Sequence, residues 1–322
     1  MRHLIALLIV TLGLGAACTA TAETYPARPV RIIVGLAAGG APDTVARLLG
    51  DKLGAALGQR TYVENRTGSG GNIASDAVAH APADGYTLYL AAHPPFAINQ
   101  LLYSQTPYDA TKDFEPISLL VSQWFVLTVN PALPIRTIQE FVAYVKARPG
   151  QLTYGSSGTG TPHHLGMELL KLALGLDLTH VPYKGSSASM LDLLNGQLPV
   201  AFTAYAVAKP YFDSGKLVPI AVTSRTRASD LPDLPTIAET VVPNYEVTAW
   251  YGIVAPAHTD KDIVRRLNRE IVAIMHQPDI VARMNTLGLD VQTSTPDEMR
   301  DRIAAEIATW GRVVREAKLK VE

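Results

Sequence analysis

Two glycine-rich turns, each set between an apolar β-prone run and an amphipathic helical pattern, constrain this chain more than any other feature. The first is Gly35-Leu-Ala-Ala-Gly-Gly-Ala-Pro-Asp43, after Val30–Val34. The second is Tyr154-Gly-Ser-Ser-Gly-Thr-Gly-Thr-Pro-His-His-Leu165, after a short strand. A strand that ends in such a turn and feeds a helix is the building unit of an open α/β sheet. The helix start beyond the turn exposes backbone N–H groups and the positive end of the helix dipole, a setting that favours an anion. The turns lie far enough apart to belong to two lobes. Two such helix starts facing one cleft would clamp a carboxylate, a binding design that needs no catalytic residue.

Strand and helix patterns alternate around both turns. Val30–Val34 is β-branched, as in a buried parallel strand. Val45, Leu48, Leu49, Leu53 and Leu57 then recur at helical spacing, with Pro42 fitting the first helical position. Thr61–Glu64, a glycine turn over residues 65–72, a helix through Val78 and the strand Tyr86–Ala91 complete a βαβαβ unit. Pro116–Val129 is a long apolar stretch that could pass between lobes. The alternation restarts with helix Ile138–Arg148, strand Leu152–Gly155 and helix Pro162–Leu174, where Thr161 is an expected N-cap. It continues with strand Leu178–Pro182, helix Ser187–Asn195, strand Val200–Thr203, helix Ala206–Ser214 and strand Val218–Val222. Val247–Ala255 reads as a return crossing, followed by helix Lys261–Met275, ended near Pro278, and a long helix, Pro296–Lys318. Met299, Ile303, Ile307, Trp310 and Val314 form one face of that last helix. The fold class read from this order is α/β: two parallel-rich sheets in two lobes joined by a hinge.

The N-terminus has the pattern of a secretory signal. Arg2 and His3 precede the apolar run Leu4–Leu14, and Ala20-Thr-Ala22 has the A-x-A form of a cleavage site. The run falls well short of the ~20 residues that span a bilayer. Cleavage after Ala22 is expected. The competing reading is a lipoprotein acylated at Cys18, although Gly15 stands where an aliphatic residue belongs. Cys18 is the sole cysteine, so the mature chain would have no thiolate for catalysis or metal binding. With 28 basic and 29 acidic residues there is no basic stripe, which disfavours nucleic acid and anionic membrane as partners. A monomer is expected, without cofactor or metal and without membrane insertion of the mature chain.

Motifs of catalysis are missing. No G-x-S-x-G elbow, P-loop, S-x-x-K or H-E-x-x-H occurs, and Gly68–Gly70 lacks the third glycine of a dinucleotide fingerprint. His163 and His164 are adjacent, so on a helix they diverge by about 100° and chelate one ion poorly. The plainer reading has one packing and one capping or facing the cleft. His93 ends a strand, where open α/β sheets place ligands; ligand contact and ordinary loop structure both remain open for it. Asp43 suits a first-turn structural role. Lys184 is a carboxylate partner or a solvated lysine, the commoner case. Trp124, Trp250 and Tyr251 fall on the crossings and suit hinge or core packing.

The ordered pieces of the chain resemble a known family, the periplasmic solute-binding proteins of tripartite tricarboxylate transporters, or Bug family. They are Tyr25-Pro-Ala-Arg-Pro-Val-Arg31, Gly39-Gly40 with Asp43–Leu49, Val63-Glu-Asn65 with Gly70-Gly-Asn-Ile73, and Asp84-Gly-Tyr-Thr-Leu88. Further on come Leu133-Pro134, Pro149-Gly-Gln-Leu-Thr-Tyr154, Val181-Pro-Tyr-Lys-Gly185, Ala221-Val-Thr-Ser224, Leu231-Pro-Asp-Leu-Pro-Thr236 and Trp250. The resemblance implies a Venus-flytrap, type II-like fold, with residues 1–22 as signal peptide, 23–123 plus 248–322 as lobe 1, and 124–247 as lobe 2. It implies capture of a small organic acid, a di- or tricarboxylate or an aromatic acid, for membrane transporter subunits or for a sensor. The binding residues it implies are Ala37, Ala38, Gly39, Gly40 and Ala41 in the first turn, and Ser156, Ser157, Gly158, Thr159, Gly160 and Thr161 in the second.

The chain departs from the family pattern at Ala38, where proline is common, and at Thr159, where asparagine is common. At Thr203-Ala204 many relatives carry an aspartate, whose absence here speaks against an amino-acid ligand. His93, in the unusual segment Ala92-His-Pro-Pro-Phe96, is expected at the far end of the ligand, and Thr203 with it among the residues that choose the acid. Two alternatives stand beside transport: a sensor or adaptor that presents the closed form to a receptor, and a secreted hydrolase pairing His163 or His164 with a serine.

Overall fold

A computed structural model describes residues 25–319 apart from 104 and 229. The expected signal segment, its cleavage site and Cys18 lie outside the described residues. The first half begins with β1 (Val30–Val34), α1 (Ala41–Leu57), β2 (Thr61–Asn65), α2 (Asn72–Ala79) and β3 (Thr87–Ala92). A π-helical turn, Pro94–Ile98, and the single turn α3 (Asn99–Leu102) lead to β4 (Phe114–Val129). The second half runs α4 (Ile138–Lys146), β5 (Leu152–Ser156), α5 (Pro162–Leu174), β6 (Leu178–Pro182), α6 (Ser186–Leu194), β7 (Val200–Ala204), α7 (Tyr205–Asp213), β8 (Val218–Val222) and α8 (Ile237–Thr240). The chain then returns through β9 (Thr248–Pro256), α9 (Lys261–Met275), α10 (Pro278–Thr286), β10 (Asp290–Val291) and α11 (Pro296–Glu316).

The strands order as β2-β1-β3-β9-β4-β7-β5-β6, with β8 and β10 also on β4. β1, β2 and β3 are mutually parallel, and so are β5, β6 and β7. Parallel strands are covered on both faces, which is why β1 is almost wholly apolar and its Val30, Ile32, Ile33 and Val34 are fully buried. The two parallel groups expected as separate sheets are joined by one long strand. Residues Phe114–Trp124 of β4 pair antiparallel with β9, and Phe125–Val129 pair with β7 and β8. β4 therefore carries the chain across, and β9 receives it back: Thr248 stands opposite Trp124.

Helix ends follow local chemistry. α1 has proline in its first turn and ends at Gly58, whose φ of 72° is the left-handed conformation that glycine adopts without strain. Thr137 with Glu140, and Thr295 with Glu298, form capping boxes at α4 and α11. Pro278 ends the pattern of α9, as expected, but also opens α10, an element the sequence pattern did not reveal.

The apolar face read from α11 is buried, but it divides between two cores. Met299 and Ile303 pack with Trp250, Phe96 and Phe114, whereas Trp310, Val313 and Val314 pack with Phe125, Leu165 and Tyr245. The last helix thus clamps both halves from behind the crossings.

Candidate functional site

Each glycine turn stands where a parallel strand ends and a helix begins. In the first, Ala37, Ala38, Gly39 and Gly40 are exposed and Ala41 is half-buried as the first residue of α1. The buried Asp43 accepts from Gly39 N–H (2.9 Å), from Arg47 (3.0 Å) and from Asn65 Nδ2 (3.0 Å). The Arg47 hydrogen bond is the largest of the influences that hold its carboxyl down at about 2. Asn65 also donates to Leu36 O (3.0 Å), tying β2 to the turn. Asp43 thus braces the turn, and one of the turn's N–H groups is already engaged.

The second turn is folded on itself to a degree the sequence did not disclose. Gly158 N–H donates to Ser156 Oγ (3.1 Å), Gly160 N–H to His164 Nδ1 (3.0 Å) and Thr161 N–H to Gly158 O (3.3 Å). Thr161 occupies the N-cap position, yet its side chain does not cap α5; the hydroxyl donates to Gly158 O instead (2.7 Å). Ser156 is buried, with Oγ 2.7 Å from His180 Nε2. Ser157 Oγ lies 3.0 Å from His163 Nδ1. Thr159 is exposed. The three imidazoles therefore act as a frame behind the turn. His164 and His180 stack with centroids 3.9 Å apart, and His180 stacks on Tyr154 at 5.0 Å. Burial, the main cause in each case, pushes His163, His164 and His180 down to about 4, so all three are neutral near neutrality.

A small cavity opens beside this turn. Ser157, His163 and Thr203 line it together with Ser186, Ser187 and Ser189 of α6. The structure thus brings two expected residues, Ser157 and Thr203, to one pocket. Thr203 is buried and shares a 2.7 Å hydrogen bond with Thr128. The serines of α6 carry no motif of their own in the sequence, and the neighbouring Lys184 is exposed. The signal that could have found them was Gly185-Ser-Ser after a strand, a third strand–turn–helix start.

His93 stands elsewhere, against the expectation that it meets the ligand. Its ring is 1 % exposed, edge-on to Trp250 and Trp310, with Nε2 2.9 Å from Glu306 Oε2 and 3.2 Å from Trp310 Nε1. It is a core residue between β3 and α11, closed off from a solute. The proline-rich segment after it turns helical rather than lining an open strand end, and so draws the imidazole inward. Trp250 is likewise core, and Trp124 stacks on Tyr205 at 5.2 Å and donates to Asp290 (2.8 Å) at the crossing.

Segment 94–102 links the two turns. A Cβ on Gly70 would lie 3.4 Å from Asn99, while one on Gly160 would lie 2.4 Å from Leu102 Cδ1. Gly71, in turn, lies beside Gly35. At Gly160, with φ of 78°, any side chain is both strained and obstructed. Gly160→Ala is therefore expected to cost about 1–3 kcal/mol in chemical denaturation.

Two α/β halves, joined by crossing strands and each offering a glycine turn at a helix start, define a two-lobed solute-binding protein. The sequence matches the family described as tripartite tricarboxylate transporter family receptor over residues 45–319, and the chain belongs to that family. BugT of Bordetella pertussis is 37 % identical over 309 residues, covering 95 % of each chain. Among solved structures, R. palustris Rpa4515 with adipate is 35 % identical, covers 92 % of this chain and 99 % of that one, and superposes with a TM-score of 0.76. MatC from Rhodopseudomonas palustris with bound malate is 32 % identical, covers 90 % and 100 %, and has a TM-score of 0.72. Among the described residues no helix is long and apolar enough to cross a membrane, and no group of three His, Cys, Asp or Glu could hold a metal ion.

Proposed function

We propose that this chain captures a small organic acid in the periplasm and delivers it to the membrane subunits of a tripartite tricarboxylate-type transporter. The observation that carries the reading is the pocket beside the second turn, where Ser157, His163, Thr203 and the start of α6 converge without a carboxylate to repel an anion. The adipate and malate held by two related structures support it. The lobes we infer are 23–123 with 248–322, and 124–247, hinged where β4 and β9 cross, with α11 packed on both. The first turn, Ala37–Ala41, and the second, Ser157–Thr161, would approach the solute from opposite sides. Ser156 has its hydroxyl engaged by His180 and acts through the shape of the turn.

Charge-assisted hydrogen bonds contribute about 1.5–3 kcal/mol each. Three or four, with water excluded on closure, suffice for micromolar binding at about −8 kcal/mol after ordering costs. Calorimetric titration with adipate, malate and citrate tests the reading, and solute uptake in a deletion strain tests the transport role. Ser157→Ala should weaken binding about tenfold or more, the equivalent of one charge-assisted hydrogen bond. Thr161→Ala should act in the same direction by loosening Gly158. Unchanged affinity in both would remove the second turn from the site.

A further inference from the structure

The pocket beside the second turn measures about 70 Å³. That is the size of a site for a carboxylate group or a few ordered waters. Its polar lining is Ser157, His163, Ser186, Ser187, Ser189 and Thr203, and no aspartate, glutamate, lysine or arginine reaches it. α6 begins here after Gly185, with no side chain capping its first turn, so its leading N–H groups and positive dipole end meet the pocket. Ser189, one turn further in, is 5 % exposed and makes no side-chain hydrogen bond among the described residues. Donors abound and no anionic side chain is present, which disfavours an ammonium group and suits an oxyanion.

His163 is the only residue in this lining that can become positive. The elements around it bring no charge: Phe125 of β4 packs on its ring at 4.4 Å, and β7, α6 and α7 contribute Phe202–Ala204, Ser186–Met190 and Val207. On its own helix His164 turns to His180, and Glu168 pairs with Lys171 at 2.7 Å. Burial keeps the empty-pocket imidazole neutral. An anion lodged beside it works the other way, because an opposite charge within a few ångströms favours the protonated ring.

We propose that this pocket receives a second carboxylate of the solute together with a proton on His163, so that the chain prefers dicarboxylates and binds them with proton uptake from solvent. This rests on the carboxylate-binding reading above. Adipate and hexanoate, equal in length and differing by one carboxylate, are the probes, titrated near pH 6.5 in buffers of different ionisation enthalpy. Adipate should bind at least about tenfold tighter than hexanoate and take up as much as about one proton. In His163→Gln, whose amide can still bond Ser157, adipate should bind at least about tenfold weaker, with the uptake gone. Ser189→Ala should weaken adipate while leaving hexanoate unchanged, and thermal unfolding of each variant checks that it is folded. Adipate binding without proton uptake, or with uptake unchanged in His163→Gln, overturns the proposal and leaves carboxylate binding standing. If neither acid nor malate binds, both readings fall.

Discussion

On acidification, the folded chain is expected to lose much of its stability between about pH 6.5 and pH 4. His163, His164 and His180 are held down at about 4 by burial, with the Lys171 charge adding to the effect at His164 and His180. In the unfolded chain each returns to about 6.5. Between those values the unfolded state binds more protons, so stability falls as pH falls and levels off below pH 4. Each ring is worth up to about 3 kcal/mol at 1.4 kcal/mol per unit, a sizeable share of the 5–15 kcal/mol that holds an ordinary domain. The loss has a structural route. A protonated His164 can no longer accept from Gly160 N–H, and its stacked partner His180 is only 3.9 Å away. Urea midpoints measured from pH 7 to pH 4 should drop steadily, and His180→Gln should reduce the slope. A flat profile to pH 4.5 would mean that water reaches the rings. Asp43, held at about 2, adds a further loss of the same sign, confined to the interval between about pH 4 and pH 2 as the carboxylate protonates.

Trp250→Ala should be the most damaging single core change, at about 3–5 kcal/mol for the lost packing and residual cavity. Trp250 is 1 % exposed, edge-on to His93 and Phe96, and donates to Glu306 Oε2 at 2.8 Å. Burial works against the Glu306 carboxylate, but His93, Arg302 and the Trp250 N–H together hold its carboxyl below the usual range. Removing the indole therefore opens a cavity and strips a donor from a half-buried anion. Trp250→Phe, which keeps most of the volume and loses the N–H, should cost about 1.5–3 kcal/mol. Urea denaturation of the pair separates packing from hydrogen bonding. A cost below about 1 kcal/mol for the alanine variant would show that α11 can be released from β9 without penalty.

Much of the architecture is readable along the chain. The β-branched run of β1, the helical spacing of α1 and the apolar face of α11 each state their own element, since the pattern repeats within a few residues. The helix α10 and the helical turn after His93 are not readable in this way. Both begin at prolines that serve equally well as stops, and only their packing decides. The candidate site shows the same division. Its glycine turns stand out by composition, whereas the role of each atom in them does not.

The sequence by itself determined two α/β halves, two crossings and two glycine-rich helix starts, because local periodicity and turn chemistry specify elements and their order. Which side chains face a solute was decided by the tertiary structure. It drew His93 into the core with Glu306 and turned the N–H groups of the second turn back on Ser156 and His164. It also set Ser189 and His163 beside Ser157 and Thr203. The partners of His93 and of Ser157 come from elements far apart in the chain, whereas the bonds of the second turn span only a few residues. Burial and hydrogen-bond saturation, which no local pattern encodes, assigned them.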